Sequence, residues 1–220
     1  MLDINTLLKQ LRLGAIRDCY EETALHAESQ GWTYQQYLAA LCDKQLAQRD
    51  QSRIQRHLQE AKLPIGKTLD TFEFDKLTSV KRTQLNSFAE TTTWLDQAHN
   101  LILFGPSGVG KTHLAAAIGK RLVELGARVL FEKTTLLVQE LQVAYKEKRL
   151  SSSLDKLARY DLLILDDIGY VQKSKNETSV LFELIGDRYE TKSLLITANQ
   201  RNCSISLCKL SLFCKLGLDI

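Results

Sequence analysis

Gly105-Pro106-Ser107-Gly108-Val109-Gly110-Lys111-Thr112 follows directly on the apolar run Asn100-Leu101-Ile102-Leu103-Phe104 and opens into an amphipathic stretch that begins at Lys111. A glycine, four residues, then glycine, lysine and a hydroxyl residue, set between a strand and a helix, is the spacing of a phosphate-binding loop. Glycines let the backbone curl until successive N–H groups point inward at phosphate oxygens, and the helix that follows adds its positive N-terminal end. Lys111 is expected to reach the β and γ phosphates, and the Thr112 hydroxyl to ligate Mg²⁺. The expected cofactor-binding stretch is Gly105, Pro106, Ser107, Gly108, Val109, Gly110, Lys111, Thr112 and His113, with the His113 side chain read as a helix residue facing the core rather than a ligand.

Outward from the loop, short apolar runs alternate with amphipathic segments, the pattern of β-α units on a parallel sheet. Strands are expected over Asn100–Phe104, Arg128–Phe131, Asp161–Leu165 and Leu194–Thr197, with helices near 111–125, 135–148 and 176–190. The fold class is therefore α/β, a P-loop NTPase with a three-layer parallel sheet.

Leu162-Leu163-Ile164-Leu165 runs straight into Asp166-Asp167. Such charge at the carboxyl end of a buried strand needs a cation or hydrogen-bond donors, and ligands of open α/β sheets bind at that end. Asp166 is the expected Mg²⁺ partner and Asp167 the group that polarises an attacking water. Leu194-Leu195-Ile196-Thr197-Ala198 ends in Asn199, whose amide would face the γ-phosphate or the lytic water if its strand lies between those of Lys111 and Asp166. Lys111, Asp166, Asp167 and Asn199 form the expected catalytic set, and Thr112 with Asp166 the expected metal set. Nothing after Asp167 resembles an NKxD guanine reader, so ATP with Mg²⁺ is the expected nucleotide.

The 220 residues, 44% hydrophobic and 25% charged, fit one α/β domain plus a modest appendage. No stretch approaches a membrane span and the first residues lack a signal-peptide pattern, so a cytoplasmic protein with no membrane partner is expected. The five cysteines form no CxxC pair, which speaks against a disulfide framework or zinc site. A net charge of +3 is too small to imply nucleic acid by itself, so the distribution of charge matters more.

Residues 1–66 read as helical. Leu7, Leu8 and Leu11, and then Tyr34, Tyr37, Leu38, Leu41, Cys42 and Leu46, recur by threes and fours, Thr33 with Gln36 forms a capping box, and Pro64-Ile65-Gly66 should stop the long helix. The expected divisions are 1–66 for a helical DNA- or partner-binding domain, 67–200 for the ATPase core and 201–220 for an atypical tail.

With these residues assembled, the chain resembles the IstB-like family, ATP-binding helpers of insertion-sequence transposases and relatives of DnaC-type helicase loaders. The resemblance covers roughly residues 1–200. It rests on Ala61-Lys62-Leu63-Pro64, Lys67-Thr68-Leu69-Asp70-Thr71-Phe72, Gly105 to His113, Leu162 to Gly169, Leu181-Phe182-Glu183-Leu184, Arg188-Tyr189-Glu190 and Asn199. It implies an AAA+ (ASCE) sheet with a helical N-terminal domain, ATP-dependent homo-oligomerisation on double-stranded DNA, and delivery of that DNA to a partner transposase. A helicase loader on the same fold, and an ATP-binding remnant without hydrolysis, are the alternatives.

For such a function, Arg49, Arg53 and Arg56 fall on one helical face and could neutralise DNA phosphates, with Lys44 and Lys62 nearby; a solvated face interspersed with Asp43, Asp50 and Glu60 is the other reading. Lys146, Lys148 and Arg149 form a second basic group. In the family, arginines that complete the site lie beyond the position of Asn199, whereas Arg201 is the only arginine from 201 to 220. That tail holds three of the five cysteines and one acid, Asp219, and reads either as a frameshifted or truncated end or as a divergent final strand and helix.

Overall fold

The computed structural model of the chain describes residues 3–74, 82–168, 175–199 and 216–219. They divide into two compact units, Met1–Arg56 and His57–Ile220.

The first unit contains α1 (Ile4–Gln10), α2 (Gly14–Gln30) and the greater part of α3 (Tyr34–Glu60). Its core is small: Leu8, Ile16 and Leu41 are buried, with Leu13, Cys19, Tyr20 and Tyr37 packed around them. Hydrogen bonds from Tyr37 Oη to the Tyr20 carbonyl (3.0 Å) and from the Ala15 N–H to Gln45 Oε1 (3.1 Å) tie the helices together. The capping box at the start of α3 is formed, with the Thr33 N–H donating to Gln36 Oε1 at 2.8 Å and the Gln36 N–H donating to Thr33 Oγ1 at 3.2 Å. Of the apolar positions read from the sequence, Leu8, Tyr37 and Leu41 enter this core, while Leu7, Leu11, Tyr34, Leu38 and Leu46 are exposed.

The long helix ends at Glu60, before Pro64, because Lys62 adopts a left-handed φ of 52° that no helix continues through. The division between units at Arg56 also falls before residue 66, where the sequence places the boundary. Residues from 57 onward pack with the second unit: Ala61 is fully buried in its core and its carbonyl accepts the Phe131 N–H at 2.9 Å.

The second unit holds α4 (Arg82–Glu90), α5 (Thr93–Asp96), β1 (Leu101–Gly105), α6 (Lys111–Glu124), β2 (Val129–Lys133), α7 (Thr134–Lys146), α8 (Leu150–Leu157), β3 (Leu162–Asp166), α9 (Lys175–Arg188), β4 (Ser193–Asn199) and β5 (Leu216–Asp219). All pairings are parallel and the strand order is β2-β3-β4-β1-β5, so β4 lies between the strands that end at the phosphate loop and at Asp166. Four strands match the sequence expectation to within two residues at either end. The fifth comes from the tail: Leu216–Asp219 pairs with Leu101–Phe104, a final strand on the sheet edge. Arg201 lies outside the described residues.

The apolar runs are continuous because both faces of the sheet are covered. Alternate residues divide between two cores. Leu101, Leu103, Val129, Phe131, Leu162, Ile164 and Leu195 pack under α4, α5 and α6. Ile102, Leu130, Leu163, Leu165, Leu194 and Ile196 pack under α7, α8 and α9. By this parity Asp166, Thr197 and Asn199 share the α6 face.

Candidate nucleotide-binding site

The loop between β1 and α6 turns on two glycines in the left-handed region, Gly108 at φ 87° and Gly110 at φ 96°. Gly110 is doubly constrained, since a Cβ there would sit 2.8 Å from Cε2 of Phe72. Phe72 belongs to the segment after Gly66, which the sequence singles out only through the family resemblance. That segment crosses the start of α6: the Phe72 ring meets the His113 ring edge to face at 5.2 Å, and His113 Nε2 lies 2.9 Å from the Thr68 carbonyl and 3.2 Å from Thr71 Oγ1. His113 thus faces the 68–72 segment rather than the sheet core, as position 113 is one residue off the buried face of α6 that carries Leu114 and Ile118.

Lys111 is 5% exposed, and its ammonium group donates to the carbonyls of Gly105 (3.0 Å) and Pro106 (2.8 Å) and to Asn199 Oδ1 (2.9 Å). Burial pulls its pKa below the ordinary lysine range, and the charges of Asp167 and Asp166 oppose that shift. Asn199 sits at the end of β4 opposite Gly105, which is how its amide reaches Lys111.

Asp166, 4% exposed at the end of β3, is held by hydroxyls. Its Oδ1 accepts from Thr112 Oγ1 at 2.9 Å and from Thr197 Oγ1 at 2.7 Å, and its carbonyl accepts from Thr134 Oγ1 at 2.8 Å. The next residue, Asp167, has a φ of 58°, and its N–H donates to Thr197 Oγ1 at 2.8 Å. Burial raises the Asp167 pKa, the neighbouring Asp166 charge raises it further, and Lys111 and Lys133 act the other way. The structure therefore brings Lys111, Thr112, Asp166, Asp167 and Asn199 together from the ends of two strands and the start of one helix. It adds Thr134 and Thr197, which apolar strands and helix starts conceal.

This donor set suits a nucleotide with a hard divalent cation. The Thr112 hydroxyl and Asp166 carboxylate present oxygens to one point, the kind of partial oxygen shell Mg²⁺ accepts while phosphates and water supply the remainder. No group of three or more His, Cys, Asp and Glu side chains able to hold a metal by themselves occurs among the described residues. The buried Lys111 ammonium, bonded only to neutral oxygens, is matched to an anion.

The family described as IstB-like ATP binding protein matches residues 6–204. The chain belongs to this IstB-like family. It is 50% identical over 197 residues to an insertion-sequence ATP-binding protein of Sinorhizobium fredii, covering 90% of this chain and 66% of that relative, so it spans just under two thirds of the relative's length. An ATP-binding protein of insertion sequence IS21 from Pseudomonas aeruginosa is 34% identical over 91% of this chain and 75% of its own length. Among solved structures, the DnaC helicase loader superposes with a TM-score of 0.55 at 24% identity, over 71% of this chain and 97% of that one. AMPPCP-bound DnaA from Aquifex aeolicus does so with a TM-score of 0.58 at 20% identity, over 72% and 51%. The IstB-like chain thus has the AAA+ P-loop NTPase fold.

The basic residues are less concentrated than the sequence suggests. Arg49, Arg53 and Arg56 are exposed on α3, but Arg53 pairs with Asp50 at 3.1 Å. Lys44 donates to Thr23 Oγ1 at 3.0 Å, and Lys62 belongs to the second unit, where it pairs with Glu132. Arg149 is paired with Glu147 after α7. No helix among the described residues is long and apolar enough to cross a membrane.

Proposed function

We propose that this IstB-like chain is an ATPase that assembles as a homo-oligomer on double-stranded DNA and serves a transposase, in the cytoplasm. The observation that carries the ATPase reading is the convergence on Lys111: the ends of β1, β3 and β4 and the start of α6 bring a phosphate-binding cation, two carboxylates and an amide to one place. Lys111 exchanges its carbonyl partners for β- and γ-phosphate oxygens, where its charge counts most as negative charge redistributes. Thr112 and Asp166 hold Mg²⁺, which when bound neutralises charge on the phosphate oxygens. Asp167 orients the attacking water and accepts its proton, a role helped by a pKa that burial and the neighbouring Asp166 raise above the ordinary aspartate value. Asn199 fixes the lysine and adds a polar group beside the reacting phosphate without adding charge.

The transposition reading rests on relatives named for insertion sequences, with 50% and 34% identity over nine-tenths of the chain. The likeness to the DnaC loader is one of fold, so the loader reading is the weaker. The experiment is ATP hydrolysis by the purified chain with and without double-stranded DNA, with its size measured in each state. DNA-stimulated turnover in a large complex is expected. ATP binding without turnover or assembly would instead describe a nucleotide-binding remnant.

A further inference from the structure

Thr197 lies in the middle strand β4, fully buried, with no solvent to satisfy its hydroxyl. A hydroxyl has one proton to give, and this one goes to Asp166 Oδ1 at 2.7 Å; it accepts in return the Asp167 N–H at 2.8 Å. One atom therefore bonds both adjacent acids, in a chain whose members polarise one another from amide to hydroxyl to carboxylate. The ladder makes this contact obligatory, because Leu165 of β3 pairs with Ile196 of β4 and the next residues along are Asp166 and Thr197.

Two consequences follow from the geometry. First, Thr112 is the second hydroxyl on the same Asp166 oxygen. When Thr112 turns to a cation, Thr197 is the hydroxyl that still fixes the carboxylate. Second, Asp167 stands in the left-handed region at φ 58°, which costs a non-glycine residue on the order of 1 kcal/mol and persists where surrounding bonds hold it. The bond to Thr197 is such a hold, and it sets the direction in which the Asp167 carboxylate leaves the strand. Two residues on, on the same face of β4, Asn199 bonds Lys111. One strand thus holds the lysine with one side chain and the carboxylate pair with another.

We propose that Thr197 is a positioning residue for hydrolysis: its hydroxyl orients Asp166 and Asp167 together while taking no part in holding the phosphates. This rests on the ATPase reading above. The test compares the parent chain with Thr197→Val, which keeps the shape and removes the hydroxyl, and Thr197→Ser, which restores it. Turnover, ATP affinity and amide hydrogen exchange at Asp167 without nucleotide are measured, with thermal denaturation of each variant and Thr197→Ala in place of valine if that variant does not fold. Expected for Thr197→Val are a fall in kcat of about tenfold or more, ATP affinity within about threefold of the parent, and Asp167 exchange faster by about tenfold or more, with Thr197→Ser recovering most of both losses. Parent-like kcat in Thr197→Val, affinity falling as far as kcat, a serine variant no better than valine, or unchanged Asp167 exchange would each overturn the proposal. A parent chain that neither binds nor hydrolyses ATP sinks the ATPase reading instead, and Asp167 exchange then still decides whether Thr197 holds that residue.

Discussion

Lys111 and Asp167 are separable in what they should do. Lys111→Ala removes the donor that Gly105 O, Pro106 O and Asn199 Oδ1 share, and with it the ammonium group that meets the loop's own carbonyls. ATP affinity should fall by about a hundredfold or more, measured by equilibrium binding, since a charge-assisted contact of about 3 kcal/mol is lost. Asp167→Asn keeps size and backbone bond and should leave ATP binding close to the parent while turnover stops. The pH profile follows from the same residue. Its pKa is raised by burial and by Asp166, so in the parent the ionised, water-orienting form is lost at a higher pH than an unperturbed aspartate would require. Turnover should therefore decline as pH falls while the fold is intact, and a profile flat down to the ordinary carboxylate range would contradict the assignment. Lys111 was legible from the spacing of the glycine loop, and Asp166, Asp167 and Asn199 because each follows an apolar run with a group that a strand does not otherwise tolerate. Thr197 was not, since a β-branched residue inside an apolar strand reads as a strand former, and only the register of β3 against β4 shows what its hydroxyl meets.

Among the elements, strands β1 to β4 and the helices after β1, β2 and before β4 follow from periodicity, whereas α4, α5 and α8 are not in that reading. For α8 the signal is present, as Leu150, Leu154 and Leu157 are buried at helical spacing. β5 is different, for its four residues pair with β1 through backbone bonds, which composition does not encode. Arg188 shows how an element boundary can depend on one side chain. It is 1% exposed at the end of α9, and its guanidinium donates to the carbonyls of Leu157 (2.9 Å), Tyr160 (3.0 Å) and Ser193 (2.9 Å). It thereby joins the end of α8 to the start of β4, and although burial lowers its pKa to about 10 it stays charged at neutral pH. Arg188→Met fills the volume but leaves those carbonyls without a donor. A loss of about 2 to 4 kcal/mol is expected from the shift in denaturant midpoint, with Arg188→Lys recovering only part because one ammonium cannot reach what a planar fork does. An unchanged midpoint would mean that the carbonyls find other partners.

At the scale of the whole molecule, the candidate nucleotide site belongs to the second unit and the basic stripe to the first, so the two proposed activities can be tested apart. The overall charge of +3 gives little general attraction for a polyanion, and any affinity for duplex DNA must come from local groups. Arg49, Arg53 and Arg56 are exposed on one face of α3, with Arg53 partly neutralised by Asp50 at 3.1 Å. Each phosphate neutralised releases a counterion and contributes about 0.9 to the slope of log affinity against log salt concentration. If the stripe is the DNA contact, replacing all three arginines with glutamine should flatten that slope by about 2 to 3 per chain, the lower value applying if Arg53 stays with Asp50. The loss should be similar for DNA of any sequence, because phosphate contacts position without reading bases. Affinity measured from low to moderate salt on two unrelated duplexes checks both points, with a melting curve to show that the three-helix unit is intact. An unchanged slope would move the DNA contact away from α3, whereas a loss confined to one duplex would mean that these arginines read bases.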